Sequence, residues 1–374
     1  KRVMIGYKAG YYATGSYNTF VGAEAGLGGT TSAPYSSGGE NVAIGYKAMQ
    51  AHTTGHENTV MGFEAAYNLT TADNNTIIGR RAGYNLTTSR YNVLIGDNAG
   101  YNLQQHSANS DNVMIGNDAG YAGDYTWPQS TDNVYVGRSA GKNLDDGHSN
   151  VIIGKEAGLS DSGGGNTTQY DVFIGHKAGF STTDTIRSIV IGNEAGYTMT
   201  IGSESVIIGD QAGYTLTTTT KTVLIGRAAG FNINATGADG TVAIGYQAAN
   251  ALTSAAGLTA VGYQAGKSIV DGHSNTAFGY QALYSEVASD ESTAIGYRAL
   301  HNQSGSTSTL GNTAVGNLAG YYTTTADRNT YVGKSAGLNV TTGRQNTALG
   351  WNALQQVTNG QGNTAVGAMA GNAV

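Results

Sequence analysis

Asn41-Val-Ala-Ile-Gly-Tyr-Lys-Ala48 decides how this chain folds, because the chain is built from versions of it. It returns as Asn312-Thr-Ala-Val-Gly316, Asn346-Thr-Ala-Leu-Gly350 and Asn363-Thr-Ala-Val-Gly367. With the glycine as anchor there are 21 copies, from Gly6 to Gly367, and 13 of the 20 intervals between them are 17 residues. A short fixed period marks a solenoid, in which each unit leans only on its neighbours. Residues 1–374 therefore read as a single continuous repeat domain. The chain enters and leaves within a repeat, as expected for a segment of a longer fibre.

Working outward from the anchor, the residue three before it is Val, Thr or Ile, as in Val3, Thr19 and Val42. The residue one before it is apolar, as in Ile5, Val21 and Ile44. A spacing of two marks one face of a strand. The residue between them is apolar as well: Ala in eight copies, and elsewhere Met4, Phe20, Ile77, Leu94, Tyr135 or Phe173. A strand apolar on both faces is covered on both. We expect the flanking pair to face into the coil. The central residues, among them Ile77, Leu94, Phe173 and Ile207, would then face outward onto a seam between chains.

The anchor, as at Gly45 and Gly209, calls for positive φ or a close backbone approach. Three residues later Ala is unvarying, as at Ala48 and Ala212, which implies a tight interior. The next residue is Gly in 15 copies, a second bend. Asn precedes the first strand in 13 copies, where stacked side chains can satisfy turn amides. Seventeen residues thus give two short strands and two bends. The predicted class is all-β: a parallel β-solenoid, or β-roll, of about 21 coils. A helical reading fails, since no apolar set follows the helical period and Gly recurs too often.

Composition narrows the function. Gly is 57 of 374 and charged residues are 12%, against roughly 25% in ordinary domains. Net charge is −6 without a basic run, which argues against nucleic acid or an anionic membrane as partner. Cys is absent, so disulfides play no part. No apolar run approaches 18 residues, so no membrane insertion is expected in this segment. Nothing calls for a cofactor.

The phrases Asn41-Val-Ala-Ile-Gly45, Asn312-Thr-Ala-Val-Gly316 and Ser205-Val-Ile-Ile-Gly209 resemble the Asn-Ser-Val-Ala-Ile-Gly repeat of YadA-type trimeric autotransporter adhesin heads. The chain also resembles phage tail-fibre repeats built on Asn-Thr-Ala-Ile-Gly-Tyr-Gln-Ala-Gly. The resemblance covers essentially the whole chain, at five or six positions per coil. The period here is longer than the adhesin's, and Asn stands where that family has Ser. The resemblance implies a left-handed roll, a homotrimeric shaft, and an extracellular place on a virion tail fibre or cell surface.

Long intervals insert residues after the predicted second strand. Two carry proline beside aromatic rings: Pro34 with Tyr35, and Pro128 with Trp127 and Tyr125. Tyr35, Tyr125 and Trp127 are the candidates for docking a cell-surface glycan or protein receptor. The plainer reading is that they cover the adjacent coil. The 24 Tyr fall mostly one or five residues after the anchor, which predicts stacked columns or, alternatively, a glycan surface. Thr pairs such as Thr70-Thr71 and Thr217-Thr218 raise ice binding, but Gln104-Gln105 and the long loops interrupt the rows. Asn68-Leu-Thr70 and Asn85-Leu-Thr87 are glycosylation sequons. His52 and His56 have the spacing that would serve a metal on a helix, but they lie in a Gly-Thr turn, and His148 and His273 sit in a repeated Asp-Gly-His-Ser-Asn turn. No metal site and no catalytic residues emerge. The expected function is a structural fibre or adhesin shaft, not an enzyme, serving attachment or display of a receptor-binding element. A carbohydrate-active tail spike and a self-assembling extracellular filament are the alternatives.

Overall fold

The computed structural model describes residues 1–29, 36–103, 110–122, 130–144, 146–160, 167–234, 236–305 and 310–372. Among these lie 21 parallel strands of three residues each and one short 3-10 turn, Thr236–Ala238. The chain is an all-β solenoid with one strand for each anchor glycine. It divides into two compact units, Lys1–Ser188 and Ile189–Val374. The first carries the strands from Val3–Ile5 to Val172–Ile174, and the second those from Ile189–Ile191 to Thr364–Val366.

Within each unit every strand pairs with the next in strict register. Thr76, Ile77 and Ile78 lie opposite Val93, Leu94 and Ile95. Val206, Ile207 and Ile208 lie opposite Val223, Leu224 and Ile225. The sequence period is therefore the spatial period, and equal residues stack in files along each unit.

The structure corrects the inward and outward assignment. Ile77, Leu94, Phe173 and Ile207 are fully buried inside their own coils, so they line no seam. Their flanking residues, such as Thr76 with Ile78 and Val206 with Ile208, are half-exposed on the outer face. The reason is volume. The central side chain shares its space with the residue four after the anchor. Where the centre is large, as in Ile77, Leu94, Tyr135 and Phe173, that partner is Gly83, Gly100, Gly141 and Gly179. In four of the eight Ala-centred copies, Ala43, Ala277, Ala294 and Ala348, the partner is Met49, Leu283, Leu300 and Leu354, each buried. At Ala260 the partner is Gly266, and Ile269 reaches into the space instead. A Cβ at Gly337 would lie 2.4 Å from Tyr331 Cδ1, which shows how completely one large side chain fills the gap. The invariant Ala48 and Ala212 are fully buried, as their constancy requires.

The expected second strand is replaced by a turn with positive φ at alternate positions, for example Gln211 at 55° and Gly213 at 55°. Alternating handedness keeps amides and carbonyls pointing along the stacking direction. Gly213 N accordingly donates to Ala229 O one coil away at 2.9 Å. The backbone is satisfied without extended geometry. At the anchor the coils nearly touch. A Cβ on Gly45 would sit 2.3 Å from Gly62 O, and one on Gly209 would sit 2.5 Å from Gly226 O, so only Gly fits.

Buried asparagines tie the coils together. Asn58 N and Nδ2 both donate to Asn41 Oδ1, at 2.9 and 3.0 Å. Asn58 Nδ2 also reaches Ala72 O at 2.8 Å. The pattern repeats from Asn58 to Asn75 and from Asn75 to Asn92. In the second unit it runs from Asn312 through Asn329 and Asn346 to Asn363. Each amide meets a loop carbonyl and the neighbouring coil at once, so a dry polar file costs no unmet hydrogen bond.

Candidate functional surfaces

Because equal residues stack, every surface of the solenoid is a set of files. The outer strand face carries two. In the first unit one file runs through Val42, Thr59, Thr76 and Val93, and the other through Ile44, Met61, Ile78 and Ile95. In the second unit Thr276, Thr293 and Thr313 run beside Phe278, Ile295 and Val315. Met61 is 43% exposed and Phe278 54%. β-branched and aromatic side chains fit a pleated surface and pack along it, which explains the choice of Val, Thr and Ile here.

Aromatic columns border the turns. Tyr67, Tyr84, Tyr101 and Tyr121 stack with centroids 5.0, 5.1 and 5.4 Å apart. In the second unit Tyr246, Tyr263, Tyr280 and Tyr297 stack at 5.2, 5.0 and 5.3 Å. These are the columns that the sequence spacing predicts.

Two residues after the anchor lies a file of charges and amides. Arg81 Nε donates to Glu64 Oε2 at 2.9 Å, and Gln281 Nε2 to Gln264 Oε1 at 2.9 Å. Glu156 stands opposite Arg138 at 2.7 Å, Lys155 at 3.5 Å and Lys177 at 3.9 Å. Partial burial pushes its carboxyl up, and the Arg138 hydrogen bond with the two lysine charges outweighs that, leaving it below the usual range.

Several sequence features have structural employment. The first Thr of several pairs donates to a carbonyl of the next coil: Thr70 to Thr87 O at 3.0 Å, Thr217 to Asn234 O at 2.8 Å and Thr341 to Thr358 O at 3.1 Å. Those hydroxyl protons are committed within the protein, which weakens the ice-binding reading. The sequon residues Asn68 and Asn85 belong to another ladder, since Asn68 Nδ2 donates to Asn85 Oδ1 at 2.8 Å and Asn85 Nδ2 to Asn102 Oδ1 at 2.6 Å. His52 is buried, its Nε2 beside Gly55 O at 3.1 Å, and burial lowers its pKa to about 4. Exposed His56 lies 3.9 Å from Asp73. Among the described residues no three His, Asp or Glu side chains gather as a metal would need. No helix there is long and apolar enough to cross a membrane. Tyr35, Tyr125 and Trp127 lie outside the described residues.

The position seven after the anchor points inward, as at Leu86, Leu216, Leu252 and Ile269. The sequence reading missed that it also holds the polar side chains of His52, Glu286 and Gln303. Glu286 Oε1 accepts from the amides of Val287, Ala288 and Ser289 at 2.8, 3.1 and 2.8 Å, and Oε2 from Gln303 Nε2 at 2.8 Å. Asn312 Nδ2 donates to Gln303 Oε1 at 3.0 Å, joining this network to the asparagine ladder. The signal was available: a polar residue breaks an apolar file.

Comparison with protein-family models, with curated proteins and with solved structures finds no match for this chain.

Proposed function

We propose that the chain is a structural segment of an extracellular fibre, of the adhesin or phage tail-fibre kind, without catalytic activity. It would hold a receptor-binding element away from a virion or cell, and associate with copies of itself as a homotrimer. The observation that supports this best is the outer strand face, where two files, mostly of Val, Thr and Ile with Met61 in the first unit and Phe278 and Leu349 in the second, remain half-exposed or exposed within each unit. Apolar surface of this regularity suits a self-complementary contact. The repeat phrases shared with trimeric adhesin heads point the same way.

The seam in this reading belongs to Ile78, Ile95 and Ile208, not to the buried residues beside them. Native mass measurement at micromolar concentration, with electron micrographs, tests it. The wild-type chain should be an oligomer. Changing Ile78, Ile95 and Ile208 together to Lys should yield monomers that keep the β-sheet spectrum. A monomeric wild type, or an undisturbed oligomer in the variant, overturns the reading.

A further inference from the structure

In the second unit, two files flank a shallow open groove of about 450 Å³ lined by Asn302, Tyr322, Asn339, Thr324, Thr341 and Thr358. The first three belong to the file six after the anchor and the others to the file eight after it. In the first unit that former file is a closed ladder, Asn68 to Asn85 to Asn102, in which each amide meets the next. Tyr322 interrupts the corresponding ladder. Asn302 turns to its neighbour, its Oδ1 2.9 Å from His301 Nδ1. The Asn339 side chain makes no hydrogen bond with any described residue.

Tyr322 is 48% exposed and set edge-on to Tyr321, with centroids 4.7 Å apart and planes at 87°. Tyr321 is itself fixed in a column, stacked on His301 at 5.1 Å. The Tyr322 ring is thereby held as a wall. Thr324 Oγ1 donates to Thr341 O at 3.0 Å and Thr341 Oγ1 to Thr358 O at 3.1 Å, so the floor offers methyl groups and oxygen lone pairs. Among the described residues that line the groove, none carries a carboxylate, ammonium or guanidinium.

We propose that this groove binds a neutral hexopyranose unit of a glycan. The apolar C–H face of the sugar would lie on Tyr322, and its hydroxyls would meet the donor and acceptor of the Asn339 amide. An aromatic wall beside an unmatched amide suits a ligand with one apolar face and a hydroxyl rim. The uncharged lining favours neutral sugars over acidic ones. This deepens the attachment part of the reading above and rests on it.

Saturation-transfer NMR of the whole chain with maltohexaose, cellohexaose and mannohexaose, and with a polygalacturonate hexamer as the acidic comparator, tests the proposal. At least one neutral hexamer should receive saturation, and the acidic one should not. Tyr322→Asn removes the wall and restores the Asn file. It should weaken binding at least about tenfold, the scale of one lost aromatic contact, without lowering the melting temperature. Asn339→Ala should weaken it as well. The proposal falls if no neutral hexamer binds, if Tyr322→Asn binds as the wild type does, or if the acidic hexamer binds equally. A chain that forms oligomers yet binds no hexamer overturns this inference alone.

Discussion

Thr185 Oγ1 donates to Asp171 Oδ2 at 2.9 Å, where the preceding coils place an asparagine amide against a loop carbonyl. Asp171 otherwise keeps the ladder: its N–H donates to Asn150 Oδ1 at 2.9 Å, and its Oδ1 accepts Ser188 N at 2.7 Å. Swapping amide for carboxylate reverses the hydrogen-bond sense, and a hydroxyl donor stands where the other coils have an acceptor. Burial still disfavours the charged form and raises the carboxyl from 3.8 to about 6.

That shift sets a pH dependence. Below pH 3.8 the group is protonated both folded and unfolded, so stability is whole. Between 3.8 and about 6 the unfolded chain releases the proton first, and the fold loses about 3 kcal/mol. Asp171→Asn should abolish this loss and be the more stable protein above pH 6. Denaturant melts of both proteins from pH 3.5 to 7 check it; parallel curves refute the assignment.

His52 acts in the opposite direction. Its folded pKa is about 4 against an ordinary 6.5, because burial penalises the imidazolium. Its contribution is whole above pH 6.5 and is lost as pH falls towards 4, again by about 3 kcal/mol. The buried Nδ1 has no partner among the described residues. Leu69 fills the same place one coil on, so His52→Leu should fit and should remove the acid-side loss. A variant whose melting temperature falls as steeply as the wild type's between pH 6.5 and 4 would contradict this.

Ala277 and Leu283 should be exchangeable only as a pair. Leu283→Gly alone leaves a cavity, at about 2–5 kcal/mol before relief of its φ of 48° is counted. Ala277→Leu alone overpacks the coil by about 1–3 kcal/mol. The double variant recreates the arrangement of Leu224 with Gly230 and should recover about 0.5–3 kcal/mol relative to the sum. Urea unfolding of the four proteins measures the coupling; strict additivity would mean that the two residues share no space.

The asparagine file, the tyrosine columns and the count of coils were all legible, because a 17-residue period stacks equal residues whatever the coil's cross-section. The glycine at the anchor was legible for the same reason. A close approach repeated from coil to coil within each unit, as between Gly45 and Gly62, leaves no room for another residue type.

What the period did not settle was which side of each strand is inside. Three apolar residues in a row satisfy alternation in either sense, so Ile77 with its neighbours Thr76 and Ile78 reads equally well both ways. Tertiary packing chose. The central residue lies against the position four after the anchor, and their volumes balance as Ala43 with Met49 or Tyr135 with Gly141. The same contact made the second wall a turn, because the left-handed residues that open that space cannot also be extended. The sequence determined that coils stack and which residues stack on which; the closing of each coil on itself decided which of those files became core and which became surface.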